Sequence, residues 1–392
     1  MKWLQKNSPE SRVGLVLPGG GARGAYQVGV LKAIARVLPK SYGTSSPFSV
    51  ITGTSAGSIN ATALAIHADH FRQGVMRLSH VWKNFEAEQV FRTDTAGIFK
   101  TGAHWLAAMM LGGLGKYNPH SLLDREPLVG LLNQYFDYSK IQQAIDDGHL
   151  HALGITASGY SSGQSVTFYQ GADSIEPWSR ERRVGCPTEL NISHLMASSA
   201  IPLLFSAIKL NREYFGDGSM RQTAPLSSAL HLGADRVLVV GVQESKPVTP
   251  ERVQTNNYPP MADILGHVMN SIFLDGLDSD LERIERINKT ISLIPTRKLE
   301  RGGVMLRPVE VLCISPSHDI DEIAARYSHL LPRSLRFLLR GVGAYGKHGS
   351  TLVSYLLFEK AFCRELISLG YKDAMNSKDE ILNLFNSEKK AK

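Results

Sequence analysis

The sequence predicts an α/β fold, a mostly parallel central sheet with helices on both faces, and three observations predict it. The apolar run Val13-Gly14-Leu15-Val16-Leu17 passes through a glycine loop into a helical pattern. A second apolar segment, Phe48 to Ile51, passes through a tight glycine turn into another. Compact apolar runs return late in the chain, at Arg236–Gly241 and Val309–Ile314. Successive strand–turn–helix units call for parallel pairing, because each crossover helix brings the chain back to start the next strand in the same direction. Uninterrupted apolar runs suit strands that are covered on both faces.

In chain order, the first strand ends in Pro18-Gly19-Gly20-Gly21-Ala22-Arg23-Gly24. Val28, Leu31, Ile34, Ala35 and Leu38 then recur at helical spacing until Pro39 stops the pattern. The second unit is a strand through Phe48, Val50 and Ile51, the turn Gly53-Thr54-Ser55-Ala56-Gly57, and a helix from Ser58 to Ile66. Residues 69–149 are less regular. They carry Trp82, Phe85, Phe91, Phe99, Trp105 and the piece Met109–Gly115, and read as helices and loops that either pack as core or cap a cleft. Strand signals at Leu150–Thr156 and Val166–Tyr169 flank a hairpin-like turn, Ser158–Gly163. Ile192–Ser199 reads as a helix that stops before Ile201-Pro202. Ser245–Pro260 reads as a surface linker, and Met261–Ile287 as one long helical pattern. Val309–Ile314 is expected to rejoin the sheet, Leu335–Leu369 to be mostly helical, and the charged stretch Ser377–Lys392 to fray.

With 392 residues, 43% of them hydrophobic, the chain has material for one large core or a domain plus an extension. Its net charge of +7 suits contact with anions, including membrane surfaces. No Lys/Arg run with interleaved aromatics points to nucleic acid. Cys186, Cys313 and Cys363 are too few and too widely spaced for a disulfide framework or a zinc site, which fits a reducing, cytoplasmic compartment. The first ten residues have no apolar signal-peptide core, and the run Trp105–Leu114 is far short of the roughly 20 residues of a membrane span. Membrane contact is therefore expected to be peripheral.

The chemistry is concentrated in the two glycine turns. Gly53-x-Ser55-x-Gly57, between a strand and a helix, reads as a nucleophile elbow, or as a plain turn of small residues. Gly19-x-Gly21-x-x-Gly24 formally matches a dinucleotide fingerprint, which requires an acidic residue at the end of the next strand. The stretch from Ser11 to Ala68 contains no Asp or Glu, so only an NADP-like variant using Arg36 survives. A phosphate-binding P-loop lacks its Gly-Lys-Ser/Thr close. The remaining use is an oxyanion hole, where consecutive glycines let backbone N–H groups converge on one oxygen and Arg23 braces the loop or adds positive potential. A Ser nucleophile needs a proton acceptor. The candidates are His318, after the late strand, and Asp217, in the turn Gly216-Asp217-Gly218-Ser219.

Taken together, Gly19-Gly20-Gly21-Ala22-Arg23-Gly24, Gly53-Thr54-Ser55-Ala56-Gly57, Ala197-Ser198-Ser199-Ala200-Ile201-Pro202 and Asp217-Gly218 resemble the patatin-like phospholipase family. The resemblance covers roughly Val13 to Val242. It implies a serine lipid acyl hydrolase, of phospholipase A or lysophospholipase type, in residues 11–245, with 246–392 as a mainly helical extension of the kind seen on bacterial members, packed on it with one late strand. It also implies Ser55 as nucleophile, Asp217 as proton acceptor without a His, an oxyanion hole at Gly19, Gly20 and Gly21 with Arg23 in the same loop, and no cofactor or metal. Pro18 stands where many members have an acidic residue, and Ser219 where Gly or Ala is usual. The implied substrates are phospholipids or lysophospholipids. An idle lipid-binding scaffold and, more remotely, an NADP-binding enzyme are the competing readings. A helix over Pro332–Arg340 would put Arg333, Arg336 and Arg340 on one face, opposite Leu335, Leu338 and Leu339, as a basic surface for anionic lipid.

Overall fold

The computed structural model describes residues 11–39, 42–93, 104, 110, 121–244, 258, 261–273, 275–301, 306–341 and 350–386. Ten strands within these residues form one sheet: β1 (Val13–Leu17), β2 (Val50–Thr54), β3 (Ala152–Gly159), β4 (Ser165–Gly171), β5 (Trp178–Arg180), β6 (Arg183–Pro187), β7 (Ile208–Leu210), β8 (Glu213–Asp217), β9 (Arg236–Val240) and β10 (Glu310–Ile314). The order is β10-β9-β1-β2-β3-β4-β6-β5, with β8 paired to β3 and β7. From β10 to β3 every pairing is parallel. β3 and β4 form the antiparallel hairpin.

Every residue of β1, β2 and β9 is buried. Helices cover both faces and divide the interior into two apolar cores. On one face Leu226, Leu277 and Ile284 pack on Val237 and Val239. On the other, the Gly24–Val37 helix lies against the Lys360–Asn376 helix, with Leu31, Ile34, Phe362 and Leu366 fully buried. Each such side chain contributes about 1.5–3 kcal/mol. These two helices touch backbone to backbone. A Cβ on Gly29 would lie 2.2 Å from the Ile367 carbonyl oxygen, and one on Gly370 would lie 2.2 Å from that of Tyr26. Beside the contact, the Tyr26 hydroxyl donates to Asp373 (3.0 Å).

Three expectations change. The Met261–Ile287 pattern is two helices, Met261–Phe273 and Asp275–Ser292. The stretch expected to fray forms a helix at Lys378–Asn386, because Ile381, Leu384 and Phe385 fall on one face and bury there, Phe385 edge-on to Phe48. Arg336 does not join Arg333 and Arg340 in solvent. It is half-buried, its Nε unpaired, while Arg333 and Arg340 stay exposed and Leu335 and Leu339 bury. Phe99, Trp105, the Met109–Gly115 piece apart from Met110, and the linker apart from Tyr258 lie outside the described residues.

Candidate active site

β2 runs into Ser55, which has φ 53° and ψ −130°, and the Ala56–Ala65 helix leaves it. A non-glycine residue there costs about 1–3 kcal/mol and persists only where its surroundings enforce it. The glycines on either side make the turn possible. A Cβ on Gly53 would sit 2.4 Å from the Gly57 carbonyl oxygen, and one on Gly57 would sit 2.0 Å from that of Leu17. Hydrogen bonds lock the strained residue. Its N–H donates to Ser198 Oγ (2.9 Å), which itself donates to the Thr156 carbonyl (2.6 Å). The Ser58 hydroxyl donates to the Ser55 carbonyl (2.6 Å).

Strand register places Asp217. β3 pairs with β2 up to Thr54↔Thr156, and its next residue pairs with β8 as Ala157↔Asp217. β4 occupies the other edge of β3 throughout, so β8 takes over the edge that β2 vacates. Asp217 thus stands one rung beyond the residue that precedes Ser55. Gly218 permits this approach, since a Cβ there would lie 2.1 Å from the Thr156 carbonyl oxygen. Asp217 is fully buried. Its Oδ1 accepts the Ser219 N–H (3.0 Å), and its Oδ2 has no hydrogen-bond partner among the described residues. Burial pushes its pKa up to about 6, against the opposing pull of Ser55, Ser219 and the Arg125 charge. The Ser55 hydroxyl is near enough to favour the carboxylate, yet no hydrogen bond to Oδ2 is closed.

The glycine loop lies against this pair. A Cβ on Gly19 would fall 2.9 Å from Ser55 Cβ and 2.5 Å from Ser219 Oγ. Among the described residues, no hydrogen bond runs from the N–H of Gly19, Gly20 or Gly21 to a protein acceptor. These groups, with the first turn of the Ala56–Ala65 helix, are available to a developing oxyanion. Gly21 has φ +56° and packs against the Tyr355 carbonyl. A buried relay steadies the strand–helix units: Gln27 donates to the Pro18 carbonyl (2.8 Å), Asn60 to Gln27 (2.9 Å), and Trp82 to Asn60 (2.8 Å).

Ser55 opens into an apolar cavity with an empty volume of about 1060 Å³, part of it open to solvent. Ala56, Ile59, Ala63 and Ile66 form one wall, a single face of their helix; Leu78, Trp82 and Phe85 form a second, and Leu128 and Leu132 a third. Of the aromatics expected at 69–149 to pack as core or cap a cleft, Trp82 and Phe85 are buried and also line the cavity wall.

A family model described as patatin-like phospholipase matches residues 15–230, more than half of the chain. The chain belongs to the patatin-like phospholipase family. Membership implies lipid acyl hydrolase activity, and the α/β sheet with its helices is the fold expected of a patatin-like domain. Among solved structures, VipD from Legionella pneumophila is similar at 14% identity and a TM-score of 0.37, over 94% of this chain and 67% of that chain. No curated protein matches.

Ser55, Asp217 and Gly19, the residues the motifs single out, lie together in the structure. Arg23 does not face Ser55. Its guanidinium is turned to Asp321 (2.6 Å) and Ser354 (2.9 Å), so of the two roles offered for it the bracing one fits the geometry. His318 is exposed after the edge strand β10, bonded to Ser317 Oγ (2.9 Å). Arg125 escaped the sequence reading, because Asp124-Arg125-Glu126 looks like solvated surface. Arg125 is in fact 6% exposed. It donates to the carbonyls of Met196, Ser199 and Ser206 and faces Asp217 as a buried positive charge.

The geometry separates the glycines. Gly19→Ala is expected to lower turnover by about 10²-fold, because its methyl group meets Ser55 and Ser219. Gly21→Ala is expected to cost mainly stability, since it combines φ +56° with a backbone clash. Steady-state rates and melting curves of the two variants check this, and equal effects on both measures would overturn the expectation of an oxyanion hole at Gly19.

Proposed function

We propose that the protein is a phospholipase A or lysophospholipase that cleaves carboxylic esters of membrane lipids through a Ser55–Asp217 dyad and an acyl-enzyme. The observation that carries this is the buried, half-paired carboxylate of Asp217, one rung beyond Thr54 and so beside the strained Ser55, which itself lines an apolar cavity. Ser55 Oγ attacks the ester carbonyl while Asp217 takes its proton. The Gly19–Gly21 N–H groups hold the oxyanion, and Asp217 returns the proton to the departing alcohol. Water, deprotonated by Asp217, then attacks the acyl-enzyme, releases the fatty acid and restores the Ser55 hydroxyl. A carboxylate is a weak base for an alcohol. Burial in a dry site offsets that by raising its basicity and strengthening each dipole aimed at the oxyanion. No step needs a cofactor. Residues 11–245 carry this chemistry in the proposal. Exposed Arg333 and Arg340 offer a peripheral contact to anionic lipid.

The test is hydrolysis of phospholipid and lysophospholipid vesicles, zwitterionic and anionic, at low and high salt, beside fluorophosphonate labelling. The enzyme should label and should release fatty acid, faster on anionic vesicles at low salt. Its kcat/KM should rise with pH through a single ionisation near 6, as Asp217 loses its proton. An unlabelled protein that binds vesicles without hydrolysis would be the lipid-binding scaffold instead. Hydrolysis that is indifferent to lipid charge and salt would remove the basic contact alone.

A further inference from the structure

The glycine loop is confined by residues that lie beyond the family match. Gly20 faces Val242, whose Cγ2 would be 3.0 Å from an added Cβ. Gly19 faces Phe273, whose ring would be 3.1 Å from a Cβ added there, as well as Ser55 and Ser219. Gly21 faces the backbone of Tyr355, whose carbonyl oxygen would be 2.3 Å from a Cβ added there. The loop is closed by the Arg23 N–H, which donates to the Gly20 carbonyl (3.1 Å). The Arg23 side chain, 3% exposed, is then gripped from three sides. Its Nη2 meets Asp321 Oδ1 (2.6 Å), its Nε meets Ser354 Oγ (2.9 Å), and its guanidinium carbon lies 4.4 Å from the centre of the Tyr355 ring.

The grip is itself fixed. Asp321 Oδ2 accepts from Thr351 Oγ1 (2.7 Å), and Ser354 Oγ donates to the Thr351 carbonyl (2.6 Å). The Ile320–Tyr327 and Ser350–Leu356 helices are thereby tied to each other and to the loop. A buried guanidinium that loses its carboxylate must find other partners or move, because an unpaired buried charge is strongly unfavourable. Moving Arg23 moves Gly20 and Gly21, which share its turn.

We propose that Asp321 is a positioning residue: acting through Arg23, it holds the Gly19–Gly21 N–H groups at Ser55. Its contribution to turnover rests on the hydrolase reading above, while its hold on the loop does not. Displacement by an ångström at a reacting centre can cost up to about 10² in rate.

The test compares Asp321→Asn and Asp321→Glu with wild type in steady-state kinetics on vesicles, and in amide hydrogen exchange of a peptide spanning residues 18–24. For Asp321→Asn we expect kcat lower by about 10- to 100-fold with KM within about twofold. Exchange should speed up in 18–24 and stay unchanged in β3. Asp321→Glu, which keeps the charge, should recover part of both. Unchanged kcat and exchange, or a lower melting temperature with both unchanged, overturns the proposal. If Asp321→Asn speeds exchange throughout the chain, Ser354→Ala decides. It removes one Arg23 contact, and must then shift kcat and 18–24 exchange in the same direction or the proposal fails. If the wild type hydrolyses no ester, the hydrolase reading falls and the exchange measurement alone decides whether Asp321 holds the loop.

Discussion

Ser55→Ala should abolish ester hydrolysis, a loss of at least about 10³-fold, while the protein stays folded. Alanine keeps the backbone N–H that donates to Ser198 and removes only the hydroxyl, the attacking group in the proposed mechanism. Its melting temperature should match wild type closely, because the strain at φ 53° is unchanged. Ser55→Gly should be equally inactive but more stable by about 1 kcal/mol, since glycine adopts positive φ without that strain. The pair separates chemistry from conformation. Folded Ser55→Ala with wild-type turnover would end the serine-hydrolase reading.

Asp217→Asn should lower turnover by at least about 10² and at the same time stabilise the protein at neutral pH. Burial raises the folded-state pKa from 3.8 to about 6, so the fold favours the protonated form. Below about pH 4 the group is neutral in both folded and unfolded chains and carries no penalty. As pH rises from about 4 to about 6, the unfolded chain ionises first and stability is lost. A displacement of that size corresponds to on the order of 1–3 kcal/mol, which the uncharged amide avoids. Thermal melts at pH 4 and pH 8 check the sign. Asp217→Asn should gain on wild type only at the higher pH, and its residual activity should lose the ionisation near 6. His318→Ala, by contrast, should leave both measures alone, and the reverse pattern would favour a Ser-His hydrolase.

The parts of the fold that rest on local chemistry were legible in the sequence. β1, β2 and β9 are apolar runs whose continuity reflects burial on both faces, β10 is a largely apolar run at the sheet edge that is only partly buried, and the glycines flanking Ser55 are needed at the backbone distances found. The Asp217 turn was legible only as a motif. Its closeness to Ser55 depends on β8 replacing β2 along β3, which no local pattern encodes. Arg125 was illegible for the opposite reason. A charged residue between two acids reads as surface, and it becomes core only because the Met196, Ser199 and Ser206 carbonyls converge on it. The Lys378–Asn386 helix was outweighed by its flanking charges. Three apolar side chains with a waiting pocket were enough to order it.

The backbone contact between the Gly24–Val37 and Lys360–Asn376 helices also governs when the molecule can be completed. Tyr26 and Asp373 are 347 residues apart, so at about 5–20 residues per second the first helix waits roughly 20 s to a minute during synthesis for its partner to leave the ribosome. β1 waits as well, because β9, its neighbour on one side, is paired from more than two hundred residues downstream. Through that interval the nascent chain carries an apolar helix face and an unpaired strand edge. A ribosome stalled late in the message would therefore present an aggregation-prone chain, and folding of the finished protein is expected to be slow, limited by closing its longest loops.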